Sequence, residues 1–188
     1  IGGMGVIVFV MMFTNLSDRS LHIMRAEMPG PIVGKLVPRA KDTARLLYII
    51  YIVMTVALII LLRLGGMPLF ESVLHAFGTA GTGGFGIKSD SIAGYSPYIQ
   101  WVITVFMLLF GVNFNVYYFI LIGKGAQALK GEEFRAYIGM VIAGTLMIAL
   151  NILPLYGNSF AEALHQSFFQ VSSIISTTGF ATADFDKW

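Results

Sequence analysis

Long apolar runs alternate along this chain with shorter stretches that are either strongly basic or rich in glycine and threonine. Four runs stand out. Segment 1–13 is short and reads as the second part of a helix. Segment 46–62 has Thr55 as its one clearly polar residue, and segment 99–122 carries Gln100, Thr104, Asn113 and Asn115 but no charge. Segment 136–155 is also uncharged, with Pro154 near its end. The last three approach the ~20 residues that a helix needs to cross ~30 Å of hydrocarbon. Each is therefore expected to be one continuous span, and the fold class is an all-α membrane protein.

The basic residues orient these spans. Arg19, Arg25, Lys35, Arg39, Lys41 and Arg45 lie between the first two, and Lys124, Lys130 and Arg135 between the last two. These nine of the chain's 12 Lys and Arg residues mark two cytoplasmic connections. Alternation then puts segments 64–98 and 156–188 outside, where only Arg63, Lys88 and Lys187 are basic. Residues 27–31, with two prolines around Gly30, read as a turn ending the first span's extension.

The outside segments are not ordinary polar loops. Residues 68–86 read PLFESVLHAFGTAGTGGFG, and residues 158–186 read NSFAEALHQSFFQVSSIISTTGFATADFD. Each opens with an amphipathic stretch too short to span, then turns into Gly, Thr and small residues around one Phe. A shift of 95 residues pairs Ser72 with Ser167, Thr82 with Thr177, Gly84 with Gly179 and Phe85 with Phe180. A competing shift of 90 pairs Phe70 with Phe160, Leu74 with Leu164 and His75 with His165. Both hold only if the helix start and the loop differ in spacing, and the larger shift aligns the unusual chemistry. The chain thus repeats a unit of span, half-crossing helix, Thr/Gly loop and span.

Irregular backbone at membrane depth survives only where it is buried in protein or lines a water-filled cavity. A half-crossing helix followed by a Gly-rich return meets that condition when its carbonyl oxygens replace the hydration shell of an ion such as K⁺. The expected ligands are the carbonyls of Thr82, Gly83, Gly84, Thr177, Thr178 and Gly179, within filter loops that also contain Phe85, Gly86, Phe180 and Ala181. Glycine supplies φ values that other residues resist, threonine adds a hydroxyl at the inner end, and both phenylalanines are expected to pack outward and hold the loop. The short helices direct partly negative C-terminal ends toward the membrane centre, favouring a cation there. Glu71, Asp90, Glu162, Asp184 and Asp186 give the mouth a mildly negative balance.

Composition narrows the alternatives. Of 188 residues, 56% are hydrophobic and 12% charged, against ~25% charged in soluble domains. There are no cysteines, which removes disulfides and thiolate chemistry. The chain opens at Ile1 inside an apolar run, without an initiator Met or basic leader, so no signal peptide is expected and the start reads as cut away.

The stretch 75–86 (HAFGTAGTGGFG) and the stretch 176–182 (STTGFAT), with Gly2-Gly3-Met4-Gly5 and residues 25–31 (RAEMPGP), resemble the Trk/Ktr/HKT superfamily of potassium transporters, specifically its TrkH-like subunits. The resemblance covers essentially the whole chain. It implies helix–pore-helix–helix units around one central ion pore, incomplete here. Residues 1–43 would be the last span of a first unit with its basic cytoplasmic connection, 44–131 a second unit and its cytoplasmic loop, and 132–188 a third unit cut after its filter loop. The family's filter glycine falls on Gly84 and Gly179, which fits potassium-permeable members. The resemblance further implies K⁺ as the transported ion with no other cofactor, the bacterial cytoplasmic membrane as location, a homodimer of the full-length protein, and a cytoplasmic nucleotide-binding regulatory subunit.

Three other readings compete. A sodium-permeable or sodium-coupled transporter of the same superfamily differs only in ion preference. A carrier with broken helices also places unwound backbone at mid-depth, but commonly through inverted repeats, whereas both copies here face the same way. An intramembrane enzyme would need a nucleophile with a base; Ser172 and Ser173 lie near His165, yet no acid or second histidine completes a set. His75 and His165 read as packing or hydrogen-bonding residues. Asn113 and Asn115 either bond between helices or line an inner vestibule. Trp101, Tyr95 and Tyr98, and at the inner end Tyr117 and Tyr118, read as interfacial anchors.

Overall fold

The structure, a computed structural model, describes residues 40–188, with side chains from residue 45. The expectations for segment 1–13, the turn at 27–31 and most of the first basic connection lie outside the described residues. Within them, all regular structure is helical. The order is α1 (Ala40–Leu64), α2 (Leu69–Ala80), α3 (Pro97–Gly111), α4 (Phe114–Leu121), α5 (Gly125–Leu129), α6 (Glu132–Ile152), a 3₁₀ turn (Leu153–Tyr156), α7 (Phe160–Ile175) and a closing 3₁₀ turn (Phe185–Lys187).

Two helical stretches, Arg45–Leu64 and Glu132–Tyr156, are long and apolar enough to cross a membrane. Their bare faces are oily: Ile52, Val53 and Ile60 on α1, and Met140, Met147 and Leu150 on α6, are exposed. In lipid such faces need no covering. The backbone does need satisfying, which a helix does internally. Even the one clearly polar residue of segment 46–62 complies, since the Thr55 hydroxyl donates to the Tyr51 carbonyl at 2.8 Å.

The third expected span is not continuous. α3 and α4 meet at an 87° bend, so segment 99–122 is a broken span or a re-entrant piece. The cause is local. Val112 takes an extended conformation (ψ 142°), and the Asn113 side chain accepts the amide of Asn115, starting a new helix as an N-cap. The Val112 amide closes the last turn of α3 on the Leu108 and Leu109 carbonyls, and two tyrosines add second bonds to the same acceptors. Tyr117 donates to the Leu109 carbonyl at 2.6 Å, and Tyr137 of α6 donates to the Leu108 carbonyl at 3.1 Å. Gly111 leaves the room for this, since a Cβ there would lie 2.7 Å from the Tyr137 hydroxyl. Tyr117 is thus a backbone partner inside the fold instead of an interfacial anchor. Asn113 bonds between helices: its amide donates to Glu133 at the start of α6, at 3.2 Å. Both residues also line a cavity of about 680 Å³ with Asn115, Phe119 and Tyr137, so the two readings of the asparagines describe one place.

α2 and α7 are the half-crossing helices. At 1.5 Å per residue, α2 rises about 18 Å, well short of the hydrocarbon thickness. The two helices start 91 residues apart, at Leu69 and Phe160, and end 95 apart, at Ala80 and Ile175. α7 therefore has an extra turn at its outer end. That turn accounts for the two competing shifts in the sequence, and the larger one holds where the helices hand over to the loops.

The core runs through both units. Leu58 and Leu62 of α1, Ala76 of α2, and Ile103 and Met107 of α3 are buried in one cluster with Phe169 and Phe180 of the third unit. The bend gives the fold-level test. Asn113→Ala removes the cap and the bond to Glu133, and is expected to destabilise the full-length protein by about 1 kcal/mol. The readout is its unfolding temperature in detergent, and an unchanged value would mean the cap does not set the bend.

Candidate functional site

Each half-crossing helix ends on the same hydrogen-bond pattern. In the second unit Gly81 N–H donates to the Phe77 carbonyl, Thr82 N–H to Thr79, Gly83 N–H to Gly78 at 2.8 Å, and Gly84 N–H to the same Gly78 carbonyl at 3.5 Å. In the third unit Ser176 donates to Ser172, Thr177 to Ile174, Thr178 to Ser173 at 2.9 Å and Gly179 to Ser173 at 3.4 Å. Every donor and acceptor is displaced by 95 residues.

The backbone angles repeat as well. Thr82 (φ 49°) and Gly84 (φ 64°) are left-handed with Gly83 between them not so; Thr177 (φ 58°) and Gly179 (φ 89°) flank Thr178 in the same way. The sequence reading assigned such angles to glycine alone, and two threonines depart from it. A β-branched residue in this region is an outlier, costing of order 1–3 kcal/mol. It is held there because the next two amides are tied back to the helix end.

That tie fixes where the carbonyls go. In a trans peptide the N–H and the preceding C=O point in opposite directions. With the amides of Gly83 and Gly84 turned to the Gly78 carbonyl, the carbonyls of Thr82 and Gly83 point away from α2. Likewise the carbonyls of Thr177 and Thr178 point away from α7. The two loops meet on this side: a Cβ built on Gly84 would fall on the Thr178 carbonyl oxygen and within 2.9 Å of Gly179. Only glycine fits there. Gly179 has open space around its Cβ position and needs glycine for its angle alone.

The two phenylalanines part company. Phe180 is fully buried, stacked on His75 of α2 with ring centres 5.9 Å apart, whereas Phe85 is 80% exposed. Phe180 thus packs on the neighbouring repeat, whereas no preceding repeat that could meet Phe85 lies within the described residues. The backbone after Phe180 is held by that neighbour too. Ile92 N–H donates to the Ala181 carbonyl at 3.0 Å, and Ala181 N–H donates to Ser91 Oγ at 3.2 Å. Gly86, the counterpart of Ala181, packs near His75: a Cβ there would sit 3.4 Å from Nε2.

The remaining side chains stiffen the loops. Ser173 Oγ donates to the Phe180 carbonyl at 2.6 Å, closing the third loop onto its own helix. The Thr178 and Ser176 hydroxyls share a bond of 2.7 Å. At the mouth, matching positions 71 and 166 each hold a loop. Glu71 accepts from the Tyr95 hydroxyl at 2.9 Å, and Gln166 Oε1 accepts from Thr182 at 2.6 Å. Burial, then the bond to Glu71 and the charges of Glu71 and Asp90, push the Tyr95 hydroxyl up to about 12, so it stays a donor. Lys187 pairs with Asp184 at 3.2 Å, and Lys88 sits over the Tyr95 ring at 4.0 Å. Trp101, expected at a lipid interface, stacks on His165 across the repeats, at 4.9 Å and 16°, and remains 41% exposed. The Ser172 hydroxyl goes to the Phe168 carbonyl, so neither it nor Ser173 faces a base. Ser91 and Ser173 were missed in the sequence; the one available signal was their small polar character beside the loops.

These features recur in known proteins. Residues 1–143 match the family model TrkH, described as a cation transport protein. The chain is 36% identical over 194 residues to the Trk system potassium uptake protein TrkH of Salmonella typhimurium, and 33% identical over 192 residues to TrkG of Escherichia coli. Both alignments cover all of this chain and 40% of the relative, so the chain spans about two-fifths of the length of the curated relatives it matches. Among solved structures, the potassium transporter TrkH from Vibrio parahaemolyticus superposes with a TM-score of 0.77 at 31% identity, over 99% of this chain and 38% of that one. Membrane-crossing helices, repeated half-crossing helices and this kinship agree that the chain is part of a helical, multi-pass bacterial membrane protein, and it belongs to the TrkH family of cation transport proteins.

Proposed function

We propose that the full-length protein carries K⁺ across the bacterial cytoplasmic membrane through a pore, and that the loops at Thr82–Gly86 and Thr177–Ala181 form part of its selectivity filter. The observation that carries this reading is the duplicated turn. Two loops with the same alternation of handedness tie their amides to their own helix and present carbonyls on the far side, where the loops meet. Alternating handedness is how a short backbone aims successive peptide groups at one point. Oxygens of Thr82, Gly83, Gly84, Thr177, Thr178 and Gly179 would replace part of the ion's hydration shell. The helices behind them add the negative ends of their dipoles.

The named relatives are potassium uptake proteins, which favours potassium as the cargo over sodium. In this reading two filter loops do not close a ring, and the rest comes from further units of the parent chain. The domain division given above, a homodimer of the parent and a cytoplasmic nucleotide-binding regulator are part of the same proposal. They rest on the family resemblance.

The experiment is rubidium uptake by the full-length protein in a bacterial strain lacking its own potassium uptake, with and without excess sodium. The unaltered protein is expected to take up rubidium in competition with potassium and to be nearly insensitive to sodium; equal block by sodium would favour a sodium-permeable transporter. Gly179→Ser, at a position with open space around its Cβ, should make sodium a better competitor, and unchanged ion preference there would sink the filter assignment. The two glycines should also differ in severity. Gly84→Ala forces backbone against backbone and is expected to abolish uptake or assembly, whereas Gly179→Ala pays only for its angle, about 1–2 kcal/mol, and keeps measurable uptake. Equal severity would show that the close approach at Gly84 is not maintained.

A further inference from the structure

The third unit's loop is shaped by a side chain that belongs to the second unit. Phe180 directly follows Gly179 in the chain, and its ring is completely buried. It sits on the His75 ring, 5.9 Å between centres and 28° between planes, above the surface of α2 at Gly78. A Cβ at residue 78 would lie 3.1 Å from the tip of the Phe180 ring and 3.2 Å from the Phe85 carbonyl oxygen, so that the ring or the second loop would have to give, and only relief by a smaller residue at 180 marks the ring. His75 is itself held. Its Nδ1 donates to the Glu71 carbonyl at 2.8 Å, the acceptor fixing the tautomer, and Tyr95 meets its ring edge-on at 5.2 Å. Its Nε2 is buried without a partner, so no hydrogen bond from that side competes with the ring contact.

The repeat shows that this seat lies between units and not within one. Three positions of the third unit, His165, Ser172 and Phe180, are buried. Their partners 95 residues earlier, Phe70, Phe77 and Phe85, are 72%, 62% and 80% exposed. The same register is covered when a unit precedes it and bare when none does among the described residues. A filter phenylalanine is therefore seated by the pore helix of the unit before it.

We infer that His75 and Gly78 are positioning residues for the third unit's filter: together they seat Phe180, and through it set the carbonyls of Thr178 and Gly179 and hence the ion preference. The inference rests on the filter reading above, although neither residue touches the ion path. A ring pushed off its seat moves the peptide joining it to Gly179, and the Ala181 clasp leaves that movement no outlet on the far side.

The test uses the full-length protein and the ratio of rubidium uptake without and with sodium. Gly78→Ala, the smallest change that reaches the ring, is expected to raise sodium's competitive strength on the order of fivefold, about 1 kcal/mol. Phe180→Leu, which shortens the side chain, should largely restore the ratio when combined with Gly78→Ala, a rescue that general loss of packing would not give. His75→Gln puts at position 75 the residue the third unit carries at that register, Gln170, and removes the stacking ring; it should relax the ratio even if Gly78→Ala does not assemble. Unaltered ion preference in His75→Gln, or purely additive effects of Gly78→Ala and Phe180→Leu, would overturn the seat. Should Gly179→Ser leave preference unchanged as well, the filter reading itself falls; should Gly179→Ser relax it while the seat variants do not, only the seat falls.

Discussion

The last turn of each half-crossing helix leaves a carbonyl with no helical donor, at Gly78 and at Ser173, and in both units the chain returns two amides to it. Such a return is a general way to end a helix, because it gives the orphaned carbonyls of the last turn their donors. Everything near the site follows from it. The return forces a left-handed residue at Thr82 and at Thr177, against the preference of a β-branched side chain. It turns the intervening carbonyls outward from the helix, and it brings Gly84 up against Thr178 so closely that no side chain fits between them. A constraint on hydrogen bonding thus turns carbonyls of both loops to the side where the loops meet, the arrangement that the proposed filter would use.

The same constraint explains the bend between α3 and α4. At the break Tyr117 and Tyr137 donate to the Leu109 and Leu108 carbonyls, reinforcing the end of α3 beside the Val112 amide that also reaches them. Asn113 does the complementary work at the next helix start. Bend and loop are related solutions: irregular backbone persists where neighbouring units supply partners. Because Tyr137 and Glu133 come from the third unit, the second unit's broken helix is partly a product of the assembly and not of its own sequence.

What could be read in advance follows the range over which each physical term acts. Apolar runs and the 95-residue repeat are local or periodic, and they located the spans of α1 and α6, both half-crossing helices and the matched loops. The bend was not legible, because a hydropathy run does not distinguish an asparagine that caps a helix from one that faces a neighbour, and Asn113 does both. The left-handed threonines were hidden by intrinsic preference, which tertiary hydrogen bonds overrode. Tyr117 looked like an interfacial anchor because an aromatic near a span end carries the same signal whether its partner is lipid or a carbonyl eight positions away.

The two phenylalanines set the limit most sharply. Phe85 and Phe180 have the same type, the same register and loops of the same backbone shape, yet one is bare and the other fully enclosed. Nothing in either loop's own sequence differs in a way that would separate them. The difference lies in α2, where Gly78 leaves a gap and His75 provides a flat face, and in the order of the units along the chain. A repeat therefore specifies what each unit can present, while its position in the series decides what it finds. In the proposed filter, the loop at Phe180 therefore depends on α2 of the preceding repeat and cannot be understood from its own repeat alone.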